Sequence, residues 1–293
     1  MVNDNSLSSR MLDIVVHAAM LLVLLACLIP LLNILAYSFS TPHAISKSGI
    51  TLIPKEFSLE GYKAIFKDSL IPRSFLNSIL ITGGGTLINI ALTILTAYPL
   101  SKSKLPFRKY YLFLIVATMF FGGGLIPGFI LVNALGLYNS YLALILPTAL
   151  SVWNLLIMMS FFRSFPQELE ESAKLDGAGE LSILFRIVIP LSMAPIMTIA
   201  LFYAVGHWNS YFQALIYLRD TDKFPLQLIL REIVLDQQMA ADLAARSGTD
   251  QRPVSSEGVK YSTLIISIVP MLLVYPYIQN YFVKGVMIGS LKG

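Results

Sequence analysis

The stretch Glu168-Leu-Glu-Glu-Ser-Ala-Lys-Leu-Asp-Gly-Ala-Gly-Glu-Leu-Ser-Ile-Leu-Phe-Arg-Ile-Val-Ile-Pro190 decides how the rest of this chain is read. Ser164, with Gln167 three residues on, has the pattern of a capping box that opens a helix. That helix runs to about Leu175, and Gly177 breaks it as a C-terminal glycine does. A second helix, about Glu180–Val188, ends at Pro190, whose ring and missing N–H stop it. The spacing predicts helix, turn, helix. The segment is too polar to enter lipid, yet it sits between two apolar runs, Tyr141–Phe162 and Leu191–Leu218, that contain no Asp, Glu, Lys or Arg. An ordered polar knob between two such runs implies a membrane protein offering a rigid element to a cytoplasmic partner.

Four more apolar runs of the same kind are Ile14–Phe39, Phe75–Tyr98, Tyr110–Val132 and Tyr261–Val283. Each exceeds the ~20 residues that cross a hydrocarbon core as a helix. The 293 residues are 56% apolar and 13% charged, against roughly 45–50% and about 25% in an average soluble domain. Mean hydropathy is +0.70. The fold class is therefore an all-α integral membrane protein of six transmembrane helices, one domain over residues 1–293. The first run is about twice the 7–15 residues of a signal-peptide core, so it is read as a retained helix.

The loops differ in kind. Residues 40–74 place Phe57, Tyr62, Ile65, Phe66 and Leu70 at near-helical spacing with Lys63 and Lys67 between them, which predicts an amphipathic helix on the membrane surface. Residues 219–260 form a second long polar loop, most hydrophilic over 236–258. The short loop 99–109 carries Lys102, Lys104, Arg108 and Lys109, whereas 133–140 carries no charge. Short basic loops stay cytoplasmic, so both termini and the loop 163–189 are placed inside, and loops 40–74 and 219–260 outside.

Several function classes are excluded or weakened. A single cysteine, Cys27, makes no intramolecular disulfide or C-x-x-C pair. His17, His43 and His207 lie far apart without metal-ligand spacing. Glu168, Glu170, Glu171 and Asp176 fit a solvated helix face better than a metal site, and no basic run points to nucleic acid. The glycine runs Gly83–Gly85 and Gly122–Gly124 lack the subsequent G-K-[ST] of a phosphate loop. They are read as close helix packing and kinking, together with Pro30, Pro127, Pro147, Pro270 and Pro276. No catalytic constellation is present. Apart from two histidines, ionisable residues are absent from the spans, which argues against a proton-coupled pump.

Polar side chains in the spans are candidates for a solute path. Tyr203, His207 and Tyr211 recur at i, i+4, i+8 on one face, with Trp208, Asn209, Ser210 and Gln213 beside them. Rings pack on sugar C–H faces, and amides bond hydroxyls. Asn154 and Trp153 lie in the fourth run. Thr82, Thr86, Asn89, Thr93 and Thr96 form a narrow stripe on the second run, suited to a helix–helix seam.

The loop resembles the cytoplasmic signature of binding-protein-dependent ABC importer permeases: E-A-A, a glycine six residues after the E, then I-x-L-P. With Glu171 as the E, Ala173, Gly177, Ile187 and Pro190 are in register, and Asp176-Gly177-Ala178 matches the D-G-A often found at its centre. Ser172 and Ile189 depart from the pattern, conservatively. The resemblance implies a type I importer permease fold in which Glu171, Ala173, Asp176, Gly177, Ala178, Ile187 and Pro190 form the coupling helix, docked on an ATPase. It extends over nearly the whole chain, to carbohydrate-type permeases similar to the smaller permease of the maltose importer. Phe121-Gly-Gly-Gly-Leu-Ile-Pro127 and the ending Tyr281–Gly293 look most like alginate-oligosaccharide importers.

The resemblance further implies a permease subunit in a bacterial inner membrane, both termini cytoplasmic, moving oligosaccharide along a path that includes Asn89, Asn154, Tyr203, His207, Trp208, Asn209 and Tyr211. Its partners would be a second homologous permease in a heterodimer, two ATPases carrying ATP and Mg, a soluble binding protein outside, and membrane lipid. The chain itself would hold no cofactor and hydrolyse nothing. Its tail, 284–293, would reach the ATPases. A secondary transporter is the alternative, but it predicts inverted repeats and ion ligands at mid-membrane, and neither is seen. An uncharged path also sits uneasily with an acidic sugar.

Overall fold

The computed structural model describes residues 7–47, 49–67, 69–247 and 254–290. These are helical apart from turns, loops and one isolated antiparallel bridge, Ser40 with Phe57. In chain order they form α1 (Leu7–Ser38), α2 (Pro42–Lys47), α3 (Glu60–Lys67), α4 (Leu70–Ser101), α5 (Arg108–Phe120), α6 (Leu125–Ala134) and α7 (Leu142–Ile145). A 3-10 turn at Leu146–Thr148 leads to α8 (Val152–Arg163) and α9 (Gln167–Leu175). Then come α10 (Glu180–Ile183), a π-helical turn at Leu184–Val188, α11 (Ile189–Leu191), α12 (Met193–Trp208) and α13 (Phe212–Tyr217). A 3-10 turn at Thr221–Lys223, α14 (Leu226–Ser247) and α15 (Val254–Ser290) complete the chain. Residues 291–293 of the tail lie outside the described residues, as do 248–253 of the second polar loop.

Three spans are continuous: Ser9–Ser38, Leu70–Ser101 and Glu257–Val274. The other three expected helices are broken pairs, and counting each pair as one span gives six. The third bends by 117° between α5 and α6. Its cause is Phe121–Gly124: Gly124 takes φ +81°, ψ 174°, a conformation essentially confined to glycine. This run breaks the helix but makes no close packing, since a Cβ on Gly122 or Gly123 would meet nothing within 4 Å. The fourth bends by 55° ahead of α8, where Ser151 is extended and its hydroxyl accepts the Asn154 N–H at 3.4 Å.

The helix Glu180–Leu191 of the polar segment meets α12 at 83° across Ser192, and the expected fifth run itself breaks between Trp208 and Phe212, where α12 gives way to α13. The helix ends at Leu191, one residue past Pro190. The preceding residues widen into the π turn Leu184–Val188, which accommodates the ring and the missing donor, and the helix runs on to Leu191.

Ser164 does not open the next helix. It sits in helical conformation at the end of α8 and donates its hydroxyl to Phe161 O at 2.8 Å. An N-cap needs non-helical backbone, so α9 starts after Pro166 without a side-chain cap. The second polar loop is largely the helix α14, which buries Leu226, Leu228, Ile229 and Leu230.

The chain falls into two compact units. One comprises the chain up to Ile71 with Glu232–Ile268, the other Pro72–Arg231 with the chain from Val269. In the first, α3 is amphipathic: Ile65 is 1% exposed and Phe66 72%, and Tyr62 donates to Ser38 Oγ at 3.0 Å. Gly61 lets α3 approach α15 closely, for a Cβ there would stand 2.5 Å from Ser262 Oγ.

In the second unit α4 runs past two apolar clusters. Ile81 belongs to one with Val132, Leu144, Tyr217 and Leu228. Ile94, Ala97, Tyr98 and Leu100 belong to the other, with Leu155, Met158, Ile183, Leu184, Ile199 and Tyr203. Asn89 falls between them along the helix.

Candidate functional site

A break in a lipid-embedded helix frees backbone groups that must find partners. The break ahead of α8 frees Thr148 O and Ser151 N–H, and side chains of two other helices satisfy both. Asn89 of α4 donates to Thr148 O at 3.1 Å, and Tyr203 of α12 accepts from Ser151 N–H at 3.0 Å. The two caps are linked in turn. Thr93 Oγ1 lies 2.8 Å from Tyr203 OH, and Asn89 Nδ2 lies 3.3 Å from His207 Nε2. The stripe on α4 is thus a seam against α12, completed at Asn89 and Thr93. The Thr82 and Thr86 hydroxyls are buried without a partner among the described residues.

Gly85 makes this seam possible. A Cβ at Gly85 would stand 2.6 Å from His207 Nε2, whereas one at Gly84 would meet nothing within 4 Å. Gly85→Ala is expected to push the ring off Asn89 and cost about 1–3 kcal/mol by overpacking. Gly84→Ala is expected to leave stability unchanged or raise it slightly, alanine being the better helix former. Thermal midpoints of the two purified variants in detergent check this.

Beside the seam opens a cavity of about 440 Å³, lined by Asn89, Leu144, Thr148, Ser151, Asn154, Phe202, Tyr203, Gly206, His207, Asn209, Ser210, Tyr211, Phe212 and Gln213. Six of the seven path candidates meet here. Trp208 does not: it is 3% exposed and packs edge-on against Phe75, with ring centres 5.9 Å apart. Nor do Tyr203, His207 and Tyr211 share one helix face. α12 ends at Trp208, and Tyr211 precedes α13, so the chain turns to bring Tyr211 to the cavity. Asn154 is 6% exposed and is among the lining residues. Ser210 Oγ and Gln213 are bonded to each other. The lining carries no Lys, Arg, Asp or Glu.

A loop nearby is clamped by two asparagines that hydropathy and motif spacing do not single out. Asn139, at φ +59°, gives its Nδ2 to Asp220 Oδ2 at 2.7 Å and accepts the Arg219 and Asp220 N–H groups. Together with Lys223, this holds the Asp220 carboxyl below its usual range. Asn77 donates to Asp222 O and Phe224 O at 2.8 and 3.1 Å. The signal for Asn139 is its place in a short turn, where asparagine tolerates left-handed backbone and bonds nearby N–H groups.

The polar knob lies at the opposite end of α12. Gly177 ends α9 with φ +83°, and a Cβ there would meet nothing within 4 Å. Glu171, Asp176 and Pro190 are exposed. Ala173 and Ala178 are half-buried against the second apolar cluster, and Ile187 is half-buried too. Leu175, by contrast, is 89% exposed, Leu181 66% and Phe185 57%.

Glu170 does not lie on a solvated face. It is 8% exposed and ion-paired with Lys102, whose ammonium also sits 4.2 Å from the Tyr98 ring centre. Lys174 pairs with Glu180 at 2.5 Å, and that hydrogen bond holds its ammonium above the usual lysine range. Among the described residues no group of three His, Cys, Asp or Glu is arranged to hold a metal.

The family model described as "Binding-protein-dependent transport system inner membrane component" matches residues 5–288. The chain is 42% identical over 288 residues to the polygalacturonan/rhamnogalacturonan transport system permease protein of Bacillus subtilis (strain 168), covering 98% of this chain and 100% of that one. It is 31% identical to the sulfoquinovosyl glycerol transport system permease protein of Agrobacterium fabrum (strain C58), over 91% of this chain and 89% of that protein. Its fold matches, at TM-score 0.85 and 31% identity, a chain of a bacterial ABC transporter involved in the import of the acidic polysaccharide alginate. That match covers 94% of this chain and 98% of the other. The broken spans around a polar cavity and the polar knob before α12 are therefore those of an importer subunit: the chain belongs to the family of binding-protein-dependent transport system inner membrane components and is an ABC importer permease whose ATPase is a separate subunit.

Proposed function

We propose that this permease carries oligosaccharides of an acidic polysaccharide, of the pectin or alginate kind, through the cavity beside the α4–α12 seam. The observation that carries the reading is the lining of that cavity, where Asn154, Asn209, Gln213, His207 and Tyr211 offer amides and rings. Amides suit sugar hydroxyls, and rings suit sugar C–H faces. The relatives named for polygalacturonan and alginate support the substrate class.

The knob is the coupling helix. Leu175, Leu181 and Phe185 are large apolar groups left in water by an otherwise polar segment, as a partner-binding patch requires. Glu171, Asp176 and Gly177 lie on the same element. In this reading the ATPases hold ATP and Mg, both termini are cytoplasmic, and the cavity faces the outer side. A second, homologous permease supplies the other half of the path. The soluble binding protein docks outside, over the 40–74 and 219–260 segments.

The test is the full complex in liposomes with its binding protein. Oligogalacturonate or alginate oligosaccharides are expected to stimulate ATP hydrolysis and accumulate inside, and maltodextrin is not. Stimulation by neutral glucans alone would overturn the substrate class. Failure of any ATPase to co-purify after crosslinking would overturn the coupling assignment.

A further inference from the structure

The geometry points to Arg231 as the residue that reads the substrate's carboxylate, an inference that rests on the acidic-oligosaccharide reading above. The cavity lining holds no Lys or Arg, yet a uronate sugar entering it needs a positive partner. Four cations are candidates in the surrounding segments. Arg73 is paired with Asp222 at 2.7 Å and Lys223 with Asp220 at 3.1 Å, so both are engaged. Arg219 has no cation–π contact with a ring of the lining among the described residues.

Arg231 alone combines two properties. Its guanidinium lies over the ring of Tyr211, 5.6 Å from the ring centre, and Tyr211 lines the cavity. It has no carboxylate within ion-pair distance among the described residues. Its helical neighbours at three and four residues, Gln227, Leu228, Val234 and Leu235, are uncharged, so these positions of α14 provide no partner.

A guanidinium in cation–π contact with a ring keeps its N–H groups free for a carboxylate, which its planar fork can bind through two hydrogen bonds. Tyr211 is the platform, at the cavity wall. Arg231 thus supplies a charge that the cavity lining itself lacks, from a helix that comes after the fifth span. It is a specificity-determining residue: it selects uronates over neutral sugars of the same size.

The test uses the complete transporter in liposomes with its binding protein. Uptake is measured for a uronate oligosaccharide and for the same oligosaccharide with its carboxyl groups reduced to alcohols. Arg231→Gln is expected to slow uronate uptake roughly tenfold or more, the scale of one lost charge-assisted bond, and to leave uptake of the reduced sugar unchanged. Arg231→Lys keeps the charge but not the fork and is expected to fall between. Equal losses for both sugars, or none for either, would overturn the assignment of Arg231 while leaving the substrate class intact. A wild-type complex that refuses the uronate would instead overturn the substrate class, and this inference with it.

Discussion

Gly177→Trp is expected to abolish uptake while the protein still inserts, folds and pairs with its partner permease. Two costs separate cleanly here. The backbone at Gly177 has φ +83°, and any other residue in that left-handed region costs about 1–2 kcal/mol. At Cβ there is no steric cost among the described residues, because a Cβ there meets nothing within 4 Å. Gly177 is exposed on the knob, near the exposed Leu175, so a bulky side chain there is expected to stand at the surface. If the knob seats in a cleft on the ATPase, the indole blocks seating. Gly177→Ala carries the backbone cost alone and is expected to retain most of the uptake, with a modest fall in thermal midpoint. ATPase co-purification and uptake, measured for both variants, check the pair. Full uptake by the Trp variant would show that Gly177 lies off the docking surface.

The second large effect is expected at Lys102. Its ammonium ties the end of α4 to α9 through Glu170, and it packs on the Tyr98 ring. The Glu170 side chain is 10% exposed and that of Lys102 28%. Removing one partner of a buried pair leaves the other charge stranded, at about 3–5 kcal/mol. Lys102→Met falls at the lower end, about 3 kcal/mol, because the Lys102 side of the pair is partly hydrated.

Glu170→Gln removes the charge but keeps an acceptor for Lys102, so its loss is expected to be smaller. The double variant Lys102→Met with Glu170→Leu replaces the pair by apolar groups and is expected to regain most of the stability. Thermal midpoints of the purified variants, taken together as a double-mutant cycle, give the coupling. Purely additive losses would mean that the two side chains do not depend on each other in the folded protein.

The general architecture was legible from local features because membrane burial imposes simple rules. A run without charge and longer than a bilayer is thick had to span it, so the six segments were visible as composition. Gly177 was visible because the end of a helix draws a residue tolerant of positive φ. Asn139 had a similar local signal, in a turn whose plainest feature is its lack of charge.

Other features were hidden because they depend on which residues meet. A hydropathy run cannot distinguish one helix from two at 117°, and Gly122–Gly124 admits both a tight seam and a hinge. Ser164 matches a capping box in spacing, but its own backbone is helical, which the spacing cannot reveal. Glu170 reads as solvated among its acidic neighbours until Lys102, 68 residues earlier, is folded against it. Asn89 and Tyr203 read as a solute path, and they do line the cavity. They also hold the backbone freed by a break in a third helix, a break that neither of their own segments announces.

The chain alone therefore established a six-span membrane protein with a polar helix–turn–helix ahead of the fifth span, since lipid exclusion of charge and glycine's backbone freedom act residue by residue. Three-dimensional packing settled where the spans break, which polar groups cap those breaks, and that Arg231 lies over the ring of Tyr211, a residue that lines an uncharged cavity. Those outcomes depend on pairings between distant segments, and the energy of a pairing belongs to neither segment alone.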